Sequence, residues 1–368
     1  MKKSVFSLLF TAAVSSIFFF TACKKDKKTT TTEDFATVKT AVLADFVSVV
    51  ANPLYADFKA KADVLKTAVD ALAANTNDEN LAKAQDAWRA IRVLWEQSEG
   101  FLIGPVDYDN LDPYMDTWPT DHNAMDDLLA SATPLTVEYI AGLNDLEDEV
   151  ELTLRGFHPL EYLLWGTAGN RVATELTDRQ KEYMVALAAD IQNNVTKLQT
   201  GWLPGGDNFG EELKSPGVAG SRYDSYKDAL EALANALTEI CAEVGEGKMY
   251  DPFVLPGDST ISESPYAHNS LVDFKNNIIG ARNVYTCSFG GVTGKSLSDM
   301  IKYNNASLDL EIKQKFEVVI NSFDGITTTF EQAIYTQRSQ VQNTIDKIAE
   351  LKASLEQMIP YINQYVKD

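Results

Sequence analysis

Apolar residues recur at steps of three and four along almost the whole chain, and this period restricts the fold more than any other feature. Leu81, Ala84, Trp88, Ile91 and Trp95 fall on one face of a helix, with Asp78 just ahead as a cap. The same period runs through residues 37–50, 53–74, 180–198, 223–244, 271–285, 308–323 and 341–366. Strand-like alternation is nowhere sustained, so each stripe must be buried against another helix. Long helices with mostly short connections predict an all-α fold of antiparallel bundles, and the aromatic stripe around Trp88 is read as core. Pro53 suits the first turn of its helix, where a missing N–H costs little. Pro360 falls well inside the last helix and should kink or break it, with a bend near Met358.

With 368 residues the chain has the length of two ordinary domains. Glycines and polar residues across 166–177 mark a division, so bundles are expected at 34–172 and 173–368. Glycine and proline also cluster at 100–119, 201–220 and 245–265, and loops that long are either disordered or functional.

The first residues belong to neither bundle. Lys2 and Lys3 precede an apolar run over 5–20 that is too short for a stable membrane anchor, and small residues follow, the order of a secretory signal over 1–22. Phe20-Thr21-Ala22-Cys23 resembles the bacterial lipobox, whose cysteine becomes the lipidated first residue; Phe20 stands where Leu, Val or Ile is usual. Residues 23–33 lack the apolar content needed to offset ordering and read as a flexible tether. Lys24, rather than aspartate, follows the cysteine. The expectation is a cell-envelope protein held to the outer membrane by its lipid alone, with either leaflet open.

Asp and Glu number 53 against 32 Lys and Arg, a net charge of -21. That balance opposes nucleic acid and anionic headgroups and suits a soluble body or a cation ligand. With Cys23 acylated, Cys241 and Cys287 remain, able to pair in an oxidising compartment. Cys241 lies in the apolar helical stretch ALTEICAEV and reads as an inert buried thiol.

The stretch RGFHPLEYLLWG, residues 155–166, carries the chain's most suggestive chemistry. Pro159 favours the first helical position, which puts His158 at or beside the cap and Glu161 in the first turn, near the positive helix pole. Residues three apart there can also project side by side, so the imidazole and carboxylate could reach one cation. Two ligands are too few for a closed zinc site. No HExxH, G-x-S-x-G or phosphate-cradling loop is present, and the other histidines are His122 and His268.

Gly156 to Glu161 fits G-x-H-x-x-E, and in this the chain resembles the imelysin-like family of bacterial envelope proteins. Residues 95–105 resemble that family's aromatic-x-x-x-E-x-F-x-x-G-P stretch, here Trp95, Glu99, Phe101, Gly104 and Pro105, followed by D-x-W-P at Asp116 to Pro119. Residues 266–285 resemble a third segment, through Tyr266, Asp273, Asn277 and the closing Asn283-Val284-Tyr285. Ala267 and His268 depart from it, since many members carry Ser-Asp there, and Cys287 stands where glycine often closes the run.

The resemblance implies two helical-bundle domains with these segments converging on a cleft between them. It further implies a link to iron uptake, and the family has also been classed as metallopeptidases. The leading expectation is a non-enzymatic lipoprotein that binds a metal ion, iron or zinc, or an iron-bearing ligand, working with envelope iron-uptake proteins. His158 and Glu161 would be ligands, Glu99 and Asp273 acidic partners, Asn277 a further site residue and Trp118 a packing wall. The enzymatic alternative is a zinc peptidase with His158, Glu161 and His268 as ligands and Glu99 as general base. The structural alternative has His158 capping and Glu161 answering the helix dipole.

Overall fold

Helices account for nearly all regular structure in the computed structural model, which describes residues 34–254 and 256–367. The expected signal sequence, Cys23 and the tether lie outside the described residues. Beyond the helices, the described residues hold one small antiparallel hairpin, Ser288–Phe289 with Val292–Thr293.

The first helical run is continuous from Phe35 to Ala74, through helix Phe35–Asp45, a π-helical turn Phe46–Ala51 and helix Asn52–Ala74. Pro53 therefore does not open a new helix. The wider π turn just before it supplies Asn52 with a bond to the Val47 carbonyl and accommodates a ring that an α-helix would exclude. Helix Asp78–Ser98 is capped by Asn77, whose side chain accepts from the Asn80 N–H, while Asp78 accepts the Ala173 N–H at 2.8 Å. At the other end of the chain, helix Arg338–Leu355 stops and Met358–Tyr365 restarts, the interruption expected from Pro360.

Helix 52–74 packs between helix 78–98 and helix Asp178–Trp202. The 178–202 helix, expected in the second bundle, thus buries Leu187, Ile191, Val195 and Leu198 largely on the first. Residues 34–368 form one compact unit, and one apolar core runs from Val38 to Val366. The later helices Tyr226–Ala242, Ala306–Ser322 and 338–355 pack together on the far side, and helix Ser270–Thr286 joins them to 78–98.

That joint is unusually close. A Cβ on Gly100 would come within 2.7 Å of the Ala281 amide, and one on Gly280 would overlap the Gln97 carbonyl. Backbone meets backbone at this crossing, which brings the acidic end of helix 78–98 against the middle of helix 270–286.

Candidate functional site

Arg92 and Glu96 lie one turn apart on helix 78–98, on the face that also carries Trp88 and Trp95, and both are fully buried. Glu99 follows in the 3-10 turn Glu99–Phe101. The Arg92 guanidinium lies 5.8 Å from the centre of the Trp88 ring and 5.2 Å from that of Phe157. It pairs with Asp116 and Glu96, donates to Glu263 Oε1 at 2.9 Å, and brings Nε within 3.7 Å of Asp273 Oδ1.

Asp116 ends the short helix Leu111–Asp116 and accepts from Trp95 Nε1 at 2.7 Å. The preceding carbonyl, Met115, occupies the space where a Cβ on Gly156 would go, and Gly156 has φ +85°. Glycine in G-x-H-x-x-E is therefore required twice, by conformation and by contact. Gly156 then caps helix Phe157–Trp165, so His158 is its second residue and Pro159 its third. This differs from the expected start at Pro159. The first amides of a helix have no internal acceptor, so proline is tolerated anywhere in that turn.

His158 does not cap. Its Nε2 faces Asp116 Oδ1 at 3.0 Å and its Nδ1 faces Glu161 Oε2 at 3.5 Å. Burial opposes a charge on the ring, but hydrogen bonds to the two carboxylates outweigh it and push the pKa up to about 9. Without a metal, the ring is an imidazolium bridging two acids. Glu161 in turn accepts the N–H groups of Tyr266 at 2.9 Å and Ala267 at 2.7 Å, tying the motif helix to the third matched segment.

A second π-helical turn, Glu243–Lys248, extends helix 226–242 and delivers Lys248 into the same cluster. Its ammonium lies 2.8 Å from Glu99 Oε2, 3.1 Å from Glu263 Oε1, 3.3 Å from Glu243 Oε1 and 3.7 Å from Glu96 Oε2. Asn277 donates to Glu99 Oε2 at 2.5 Å and to Glu96 Oε2 at 2.7 Å. Asp273 accepts from Ser264 and Asn269, each at 2.7 Å, and burial lifts its pKa to about 7 against the pull of Arg92.

Six carboxylates, of Glu96, Glu99, Asp116, Glu161, Glu263 and Asp273, are thus buried with only Arg92, Lys248 and His158 to balance them. Burial pushes Glu96 and Glu99 well above the usual carboxylate range. Among the described residues, ligand atoms of Asp116, His158 and Glu263 lie within 4.8 Å of one another, as do those of Glu96, Glu99 and Asp116. Glu263 Oε2 and Asn277 Oδ1, both buried, have no hydrogen-bond partner. An acid-rich pocket with an imidazole and an orphaned carboxylate oxygen fits a cation.

The cluster reaches solvent past Asp116. A cleft of about 880 Å³ is lined by Asp112, Asp116, Trp118, His122 and Glu149 among others. Trp118 lines this cleft, with its ring 6.2 Å from that of His158 and 5.3 Å from the Lys248 ammonium. His122, at the exposed rim, packs at a tilt against Tyr162 with ring centres 4.7 Å apart and bonds the Tyr266 hydroxyl.

The set His158, Glu161 and His268 does not form such a group among the described residues. His268 is 45 % exposed and turns its ring to Glu331 at 3.3 Å. Glu99, the candidate base, is bound by Lys248 and Asn277. Cys241 and Cys287 are free thiols, each buried and pushed up to about 12 by burial.

Arg92, Glu96, Asp116, Lys248 and Glu263 were not expected in the site. Arg92 and Glu96 did leave a signal, since both are charged and fall on a stripe otherwise read as core. Asp116 stood in the quoted D-x-W-P. Lys248 and Glu263 lie in and after the sequence EVGEGK with nothing local to mark them, although a functional role for the 245–265 loop was one of the two possibilities for its length.

The chain matches the family model described as imelysin (Peptidase_M75) over residues 51–358. Iron-regulated protein A of Synechococcus elongatus is 28% identical over 309 residues, which cover 83% of this chain and 81% of that one. A crystal structure from Parabacteroides distasonis, assigned as an iron-regulated protein A precursor, has a TM-score of 0.81 at 28% identity and covers 88% of this chain and 95% of its own. An imelysin-like protein from Psychrobacter arcticum shares the fold at 15% identity, with a TM-score of 0.70 over 90% of this chain and 96% of its own. The three matched segments, the helical fold they build and a family match spanning most of the chain make this protein a member of the imelysin family.

Proposed function

We propose that this protein is a cell-envelope lipoprotein, anchored through Cys23, that binds a metal ion in its buried acidic cluster as part of iron uptake, without catalysing a reaction. The observation that carries the metal site is the excess of six buried carboxylates over Arg92, Lys248 and His158, with Glu263 Oε2 left unpartnered. Burial favours protons on Glu96, Glu99 and Asp273, and a cation entering past Asp116 would take the place of those protons among the carboxylate oxygens. The names of its relatives, iron-regulated protein A in two cases, support iron as the cation or its source.

In this reading Asp116, His158 and Glu263 hold the ion. Glu161 stands behind His158 and orients the ring through Nδ1, the role a carboxylate commonly plays beside a ligating histidine. Binding is favoured over hydrolysis because Glu99, the nearest candidate base, is already held by Lys248 and Asn277. A partner in the envelope would hand over or receive the ion through the cleft beside Trp118 and His122.

Calorimetric titration of the chelator-stripped mature protein with Zn²⁺, and with Fe²⁺ under anaerobic conditions, tests the site. His158→Ala and Asp116→Asn should each weaken binding by about tenfold or more. Affinities indistinguishable from wild type in both variants would overturn the ligand roles.

A further inference from the structure

Two cations already reside among the carboxylates, and they are held very differently. Arg92 is clamped: its planar guanidinium packs near the Trp88 and Phe157 rings, 5.8 and 5.2 Å from their centres, and is bound to Asp116, Glu96 and Glu263. Lys248 has a single ammonium on a flexible stem at the end of a π turn. That ammonium touches both groups of converging ligands, Glu263 of one and Glu96 and Glu99 of the other. It also faces the Trp118 ring, which lines the cleft.

We infer that Lys248 is a built-in competitor for the metal and so sets how tightly the cluster binds. In the metal-free protein its charge holds the carboxylates together. An incoming divalent ion must draw the same oxygens away from it, and the ammonium turns towards the Trp118 ring and the exposed Glu243 side. The competition lowers affinity and makes release possible from a buried site rich in carboxylates. Arg92 cannot serve in this way, because its rigid fork is bound to three carboxylates at once.

This rests on the metal-binding reading above, and the two can fail separately. Zn²⁺ and Fe²⁺ binding is measured by calorimetry for wild type, Lys248→Met, Lys248→Gln and Lys248→Arg, together with the shift in Tm on adding each metal. Removing one positive charge next to a divalent ion in a buried site should tighten binding by at least about tenfold. Lys248→Met and Lys248→Gln should do so, should unfold more readily without metal, and should gain more in Tm from it than wild type. Lys248→Arg should bind no tighter than wild type. Lys248→Gln, whose amide can still donate to Glu99 and Glu263, decides the matter if Lys248→Met does not fold. Neutral variants that bind equally or more weakly, while His158→Ala still weakens binding, would overturn the competitor role and leave the metal site standing. Absence of binding in wild type and in every variant would overturn both.

Discussion

At the residue scale, His158 joins Asp116 and Glu161, and this makes stability depend on pH in a definite direction. The folded pKa of His158 is raised from 6.5 to about 9, so its contribution is fully present below 6.5 and is lost as pH rises towards 9. Asp116 works oppositely: burial opposes its charge, but Arg92 and His158 hold it below 3.8, so its contribution is lost only as pH falls below that value. Urea unfolding of the chelated protein should therefore show a loss of up to about 3 kcal/mol between neutral and alkaline pH that His158→Gln lacks. An unchanged alkaline slope in the variant would remove this account. Sequence placed His158 and Glu161 side by side correctly, because three residues of helix fix that spacing. It could not say which carboxylate each would meet, since Asp116 is 42 residues away from His158 and the amides that Glu161 binds are 105 and 106 residues away.

At the scale of elements, the crossing of helices 78–98 and 270–286 positions one wall of the cluster. Gly280 packs on the Gln97 carbonyl, and Asn277, one turn earlier, reaches Glu96 and Glu99. Gly280→Ala forces the helices apart and should cost about 1–3 kcal/mol in unfolding free energy, measured in denaturant. Metal affinity should fall in the same variant, because Asn277 then no longer holds Glu96 and Glu99 together; unchanged stability would show that the backbones do not meet as described. The helices themselves were legible because their period is local, as was the break at Pro360. The two π turns were not. A single extra residue per turn barely disturbs a three-and-four pattern, yet it carries the first helix past Pro53 and turns Lys248 inward.

For the whole molecule, helix 178–202 covers helix 52–74, and the core continues across residues 172 and 173. A fragment ending at residue 172 would leave that apolar face bare. It should show no cooperative unfolding by circular dichroism, whereas the mature chain should unfold in one transition. A stably folded fragment would support the two-bundle division read from the glycines at 166–177. Those glycines do mark a turn, with positive φ at Gly166 and Gly169, but the chain turns back onto the same core.

What the sequence by itself determined is whatever depends on neighbours a few residues away: the helices, the break at Pro360, the spacing of His158 and Glu161, and the three segments that mark the family. Tertiary structure alone decided the composition of the charged cluster. Lys248 meets Glu99 across 149 residues and Arg92 meets Glu263 across 171, distances at which no local pattern carries information. The physical reason is that helical periodicity encodes which face is buried. It does not encode what that face is buried against, and here the buried face of one helix carries charges that only distant partners can balance.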